Sequence, residues 1–299
     1  MKTIGYLSIC LLLLGRPAPH SPLRGRVRVS NGTVVADDGS LLRMVHGYVH
    51  DFVYRYYTDI HWWRAMHDTG HFNAVRVMAF LGHWPHSAQT MDTATLLPRL
   101  DTMVRLAAQT GLYVVIDNHS ECCGNQDLHT DSLFWQSVAP RYRDNTQVIY
   151  ELKNEPWQYS GNAAYEETMF RLVRKLAPQT HIIAWTIENL IDVKDPLAFI
   201  GKAHGIDYRN ASVGFHPYGT YARTDSLLAL IRTLKRVYPV VLTEITPDAG
   251  APPLDFIKTM ESMGISWGYL GGQGFTDART HHAYGWTKGQ EIDPWWPED

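Results

Sequence analysis

Cysteine is scarce in this chain of 299 residues, which holds three: Cys10, Cys122 and Cys123. That excludes a disulfide-built scaffold, and with no C-x-x-C or second cysteine cluster it excludes a thiolate zinc site. Cys122 and Cys123, adjacent in sequence, would form either a strained vicinal disulfide or two free thiols. An excess of one charge is also missing: 27 Lys+Arg against 30 Asp+Glu give a net charge of -3. Without a basic footprint, nucleic acid is not an expected partner. No apolar run is long enough to span a bilayer, so a membrane partner is not expected either. Residues 4–14 instead have the length of a secretory core behind Lys2, and residues 1–21 read as a signal peptide, which implies export. Residues 22–299 contain no Pro/Ser-rich linker, charge block or low-complexity run, and read as one domain, expected to act as a monomer. No G-x-G-x-x-G or phosphate loop follows a strand, which removes the usual reason for an open dinucleotide-binding sheet.

What is present is a recurring unit, a short β-branched run followed by a polar loop and an amphipathic stretch of helical period. Strands are expected at 42–46, 74–78, 113–117, 148–151, 181–186, 212–215, 240–243 and 265–269. Helices are expected at 59–69, 95–109, 132–143, 163–176, 196–203, 226–237 and 254–263, several opening after Asp, Ser, Thr or Pro and closing at Gly or Pro. Eight such repeats in about 250 residues predict an α/β fold, a closed (β/α)8 TIM barrel. Residues 27–43, with Asn31-Gly32 and Asp38-Gly39 between β-like runs, predict an N-terminal hairpin that plugs the barrel bottom. After Leu270 the pattern fails, leaving a long loop and at most a short last helix.

In such a barrel, reactive residues stand where strands end. The strand ends carry Arg76, His119, Asn154-Glu155, His216, Tyr218, Glu244 and Trp267. Two glutamates across a barrel mouth are the minimal requirement for glycoside hydrolysis: one protonates the leaving oxygen while the other attacks the anomeric carbon. Arg76 beside Glu244 would keep it ionised, and Tyr218 would donate to it. Glu155, desolvated beside Glu244 and tuned by His216, would stay protonated; Asn154 would hold the sugar 2-hydroxyl. Glu151, inside the fourth strand, reads as structural. Trp84, Trp157, Trp185 and Trp286 stand at or near loops, where they either line subsites or pack. No H-x-H follows the first strand and no H-E-x-x-H occurs, so no metal and no cofactor is expected.

The order Arg76, His119, Asn154-Glu155, His216, Tyr218, Glu244, Trp267 resembles the retaining clan A glycoside hydrolases, specifically glycoside hydrolase family 5, the cellulase and mannanase family. The stretch Val-Ile-Tyr-Glu-Leu-Lys-Asn-Glu-Pro is similar to its acid/base motif, and Val-Val-Leu-Thr-Glu to its nucleophile strand. The resemblance covers about residues 27 to 270. It implies that Glu155 is the general acid/base, Glu244 the nucleophile and Trp267 the platform beneath the sugar. It further implies a secreted β-glycoside hydrolase with a polysaccharide or oligosaccharide partner, endo-acting on β-1,4-glucan. The alternatives are a β-mannanase, another β-glucan hydrolase or transglycosylase, and a carbohydrate-binding pseudoenzyme. Thr246-Pro247 after Glu244, and His46-Gly-Tyr-Val-His50 after the first strand, depart from many members and are expected to shape the subsites.

Overall fold

The computed structural model describes residues 24–83, 89–120, 127–156, 162–188, 190, 193, 195–217, 224–245, 253–270, 274–276 and 283–285. The expected signal peptide, Cys122, Cys123 and Tyr218 lie outside them, as do Trp84, Trp157 and Trp286.

The chain enters through an antiparallel hairpin, β1 (Arg28–Ser30) and β2 (Thr33–Val35). Its turn holds Asn31 and Gly32 at φ 50° and 72°, the paired left-handed conformation for which Asn-Gly is suited. The first barrel strand, β3 (Arg43–Tyr48), follows, then α1 (Asp51–Tyr54) and α2 (Ile60–Arg64), which continues as a π turn over Ala65–Thr69. Next come β4 (Ala74–Ala79), a two-residue ribbon of β5 (Gly82–His83) with β6 (Thr90–Met91), and α3 (Thr93–Thr110). Alternation then continues through β7 (Tyr113–Asn118), α4 (Leu128–Tyr142), β8 (Val148–Glu151), α5 (Asn162–Leu176), β9 (Ile182–Ile187) and α6 (Pro196–Ile200). It finishes with β10 (Ala211–Phe215), α7 (Thr224–Lys235), β11 (Val240–Ile245), α8 (Pro253–Ser262) and β12 (Ser266–Tyr269).

Strands β3, β4 and β7 to β12 pair in parallel and close on themselves through Trp267↔Arg43 to Tyr269↔Val45. All eight expected strands are present, with ends within two residues. Past the eighth, the described residues form an antiparallel ribbon, β13 (Gly274–Thr276) with β14 (Ala283–Gly285), within the stretch expected to be a long loop with at most a short last helix.

Strand alternation divides the barrel interior into two layers. At the bottom, Met44, Ala74, Val115, Ile149, Ile183 and Val241 cluster with Val27, Val34 and Ala36 around the hairpin, so the hairpin plugs this end as expected. Two residues further along, the same faces turn polar: His46, Arg76, Asp117, Glu151 and Thr243, all buried. The apolar layer keeps water out from below. The polar layer is the floor of the site.

Two bulges break the alternation. Between Ala184↔Val213 and Ile187↔Phe215, β9 spends three steps against two of β10. Between Leu242↔Trp267 and Ile245↔Tyr269, β11 does the same against β12. Each bulge inserts one residue and re-aims a side chain, here Thr186 and Glu244, into the barrel. Each also faces a glycine: a Cβ on Gly214 would meet Thr186, and one on Gly268 would run into the Thr243 carbonyl.

Candidate active site

Arg76 is fully buried in the centre of the polar layer. Its Nε donates to Glu151 Oε2 at 2.7 Å and its Nη1 to Glu244 Oε2 at 2.8 Å. Its Nη2 donates to Asn154 Oδ1 at 2.8 Å and to Glu151 Oε1 at 3.1 Å, with Asp117 Oδ2 also 3.1 Å away. One guanidinium therefore fixes oxygens from β7, β8 and β11 and from the residue before Glu155. Its planar fork suits that task, and three neighbouring carboxylates outweigh the desolvation that opposes its charge.

Glu155 follows on the β8 loop with φ 41°, a left-handed conformation uncommon for a side chain with a Cβ. The loop is held from behind by a buried ionic cluster. Lys153 Nζ donates to Asp131 Oδ1 at 2.8 Å and to the Ser120 carbonyl, while Asp131 also accepts from Asn118 Nδ2 at 2.8 Å and Tyr165 OH at 2.7 Å. The Asn154 N–H donates to the Asn118 carbonyl at 2.9 Å. Such locking is what lets backbone strain persist at one residue.

Burial raises the Glu155 carboxyl to about 7; Arg76 opposes the shift and Glu151 adds to it. Its Oε1 lies 2.6 Å from His216 Nδ1, and His216 Nε2 lies 3.0 Å from Thr243 Oγ1. Burial also lowers His216, with Glu244 opposing. A neutral imidazole that donates from Nε2–H to Thr243 and accepts at Nδ1 from protonated Glu155 satisfies both shifts. Glu244 sits differently, with Arg76 on Oε2 and His46 Nδ1 3.9 Å away. His46 Nε2–H donates to the Thr243 carbonyl at 3.1 Å, and burial holds its ring neutral. His119 Nδ1 meets Asp117 Oδ2 at 2.6 Å; burial lifts Asp117 to about 6 and depresses His119. Glu155, His216 and Glu244 each present a ligand-type atom within 4.8 Å of the others. Both His216 nitrogens have partners within the site, and Arg76 holds Glu244 Oε2, leaving its other oxygen toward Glu155 and His216.

Of the predicted site residues, Arg76 bonds to Asn154 and Glu244, His216 meets Glu155, and His119 is tied to Arg76 through Asp117. Tyr218 falls outside the described residues. Trp267 is a correction. In parallel register with outward-facing Leu242 it points into the helix layer, fully buried. There it donates from Nε1 to Glu261 Oε1 on α8 at 3.0 Å and meets Phe72 edge-on at 6.1 Å. It packs the shell and offers no face to a sugar. Trp185 likewise packs, bonded to Tyr208 OH at 2.9 Å and against Phe199. His46, the last residue of the expected first strand, lies inside β3, which runs on to Tyr48. Sequence reasoning missed Asp117, Thr186 and Glu188. Glu188 is a third carboxyl at the mouth, raised by burial and by Glu155 and Glu244.

A model of the cellulase family, glycosyl hydrolase family 5, matches residues 44–251. Endoglucanase E-5 of Thermobifida fusca is 27% identical over 154 residues, 49% of this chain and 32% of that protein. Endoglucanase CelA of Streptomyces lividans is 27% identical over 185 residues, 59% of this chain and 38% of its own. These matches span roughly a third of the length of the curated relatives. The catalytic domain of the Thermobifida fusca endoglucanase Cel5A superposes with a TM-score of 0.66 at 19% identity, covering 83% of this chain and 84% of the other. A mannanase catalytic domain from Streptomyces sp. SirexAA-E superposes at 0.60 with 17% identity, covering 90% and 85%. At these identities the superpositions establish the barrel, and the family match over well more than half of the sequence establishes the lineage: the chain belongs to the cellulase family, glycosyl hydrolase family 5.

Proposed function

We propose that the protein is a retaining β-glycoside hydrolase that cuts within a polysaccharide, β-1,4-glucan first. The observation that carries this is the meeting of Glu155 and Glu244 across the mouth, with carboxylate oxygens within 4.8 Å. Carboxyl groups about 5–5.5 Å apart suit double displacement, whereas inverting pairs stand about 6.5–9.5 Å apart to admit a water. Endoglucanases among the relatives support glucan as the substrate.

In this reading protonated Glu155 gives its proton to the leaving oxygen as a Glu244 oxygen bonds to the anomeric carbon. Arg76 holds the other oxygen of Glu244 and so sets the attacking one. Water then replaces the enzyme at that carbon, losing its proton to ionised Glu155. A carboxyl near 7 serves both halves, since donor and acceptor forms are both accessible. Asn154 Oδ1 is committed to Arg76, so its amide N–H group meets the 2-hydroxyl. Residues 1–21 and a polymeric substrate support action outside the cytoplasm.

Glu155→Ala and Glu244→Ala should each lower turnover by orders of magnitude while thermal unfolding changes little. Proton NMR of the first product should show the β-anomer; an initial α-anomer would sink retention. Product analysis on cellulose, mixed-linkage glucan and mannan identifies the polymer. The mannanase superposition makes β-mannan the second reading, favoured if mannan is cut faster. No reducing ends from any polymer would leave a carbohydrate-binding pseudoenzyme.

A further inference from the structure

The β9 bulge is strained in a way the fold alone does not require. Trp185 and Thr186 both have positive φ, 73° and 28°, and neither is glycine. Consecutive outliers of this kind, one of them β-branched, persist only where surrounding groups over-determine them, and they cluster at functional sites. Three groups do so here. The Trp185 backbone N–H donates at 3.1 Å to Oε2 of Glu166, a fully buried side chain on α5. Burial raises that carboxyl to about 8, so at neutral pH it is an uncharged acid accepting from the bulge. Gly214 supplies the space opposite, since a Cβ there would lie 2.7 Å from Thr186 Oγ1, 2.9 Å from Ile183 Cγ2 and 3.1 Å from Thr186 Cα. On the inner side, Thr186 Oγ1 donates to Glu151 Oε1 at 2.8 Å.

The bulge thus inserts a hydroxyl into the barrel at Glu151, which among the described residues is the carboxylate that grips Arg76 with both oxygens. Glu151 is fully buried and its Oε1 takes two donors, Thr186 and Arg76. With the hydroxyl gone, Arg76 is the remaining donor among these two, and the guanidinium is drawn toward Glu151. Because the fork is rigid, that motion pulls Nη1 away from Glu244 at its far end.

We infer that the β9 bulge is a positioning device for the Arg76–Glu244 pair, with Thr186 as its working side chain and Glu166 and Gly214 as its supports. The inference rests on Glu244 being the nucleophile. Thr186 touches no reacting atom, so it acts through Glu151 and Arg76.

Steady-state kinetics on a soluble β-glucan test this with Thr186→Val, Thr186→Ser and Gly214→Ala, each followed by thermal unfolding. A lost hydrogen bond to a buried charge, partly relayed, should lower kcat about tenfold in Thr186→Val with KM within about twofold, because an interaction made in the transition state is lost. Thr186→Ser, which keeps the hydroxyl, should recover to within about threefold of wild type. Gly214→Ala should lower kcat at least as far as Thr186→Val. Combining the two should add less than their product, since both disable one device. Wild-type kcat in folded Thr186→Val, failure of serine to rescue, or fully multiplicative losses would each overturn the inference. If Thr186→Val does not fold, Thr186→Ala takes its place under the same criteria. Retained activity in Glu244→Ala would instead sink the nucleophile assignment, an outcome separate from all of these.

Discussion

Glu155 takes its place from its backbone and its proton from its surroundings. Burial holds the carboxyl near 7, and the protonated form is the donor, so ionisation removes the first chemical step. Activity as kcat/KM should therefore fall about tenfold per pH unit above pH ~7. With an aryl glycoside whose leaving group needs no proton, that limb should flatten; an unchanged limb would assign it to another group. Residue identities at the strand ends were legible because the chemistry needs particular side chains in a fixed order. Orientation was less so. Alternation alone places Asp117 with Val115 and His46 with Met44 on the inner faces, and it places Trp267 outward between inward Ser266 and Gly268. The same rule applied to Glu244 fails: beside inward Thr243 it should face out. Motif resemblance found the residue, and the β11 bulge explains why it is inside.

Strands and helices were readable because their periods differ and their ends are marked. Aspartates cap α3 and α4, as the Thr95 and His129 N–H groups show by donating to Asp92 and Asp127. The bulges were not readable, since one extra residue leaves composition and period almost unchanged. Their signature is instead a glycine in the neighbouring strand. Gly268 lets β12 approach the bulged Thr243–Glu244 segment, and any Cβ there would collide with backbone that has no rotamer to yield. Gly268→Ala should therefore cost about 1–3 kcal/mol by overpacking and lower kcat together with the thermal midpoint. A Gly268→Ala protein with wild-type midpoint and turnover would show that β12 does not set Glu244.

The whole molecule carries its pH response in its buried titratable groups. Glu155, Glu166 and Asp117 are raised by burial to about 7, 8 and 6, from 4.5, 4.5 and 3.8. Between each pair of values the native state holds a proton the unfolded chain has released, so stability falls with rising pH by about 1.4 kcal/mol per unit per group. His50 and His181 run the other way, lowered by burial to about 4 and 3 from 6.5. There the unfolded chain holds the extra protons, so stability rises with pH until 6.5. The two sets oppose each other between about 4.5 and 6.5; above that only the glutamates remain. The thermal midpoint should thus be highest in that window, fall from pH 6.5 to 8, and fall again below 4. A midpoint that climbs between 6.5 and 8 would contradict the assignment. Both the barrel and its closure were predictable at this scale, because eight repeats admit few topologies. The terminal ribbon was not, its short strands carrying too little period to register. The buried guanidinium has one more consequence. Mobile ions screen charges across about 8 Å of electrolyte at 0.15 M, and buried pairs are screened much less; the Arg76 guanidinium and its partner Glu151 are fully buried. Exposed pairs such as Arg209–Asp207 weaken as salt is added; the Arg76–Glu244 contact, with its guanidinium fully buried, weakens less, so added salt should stress turnover less than alkali does.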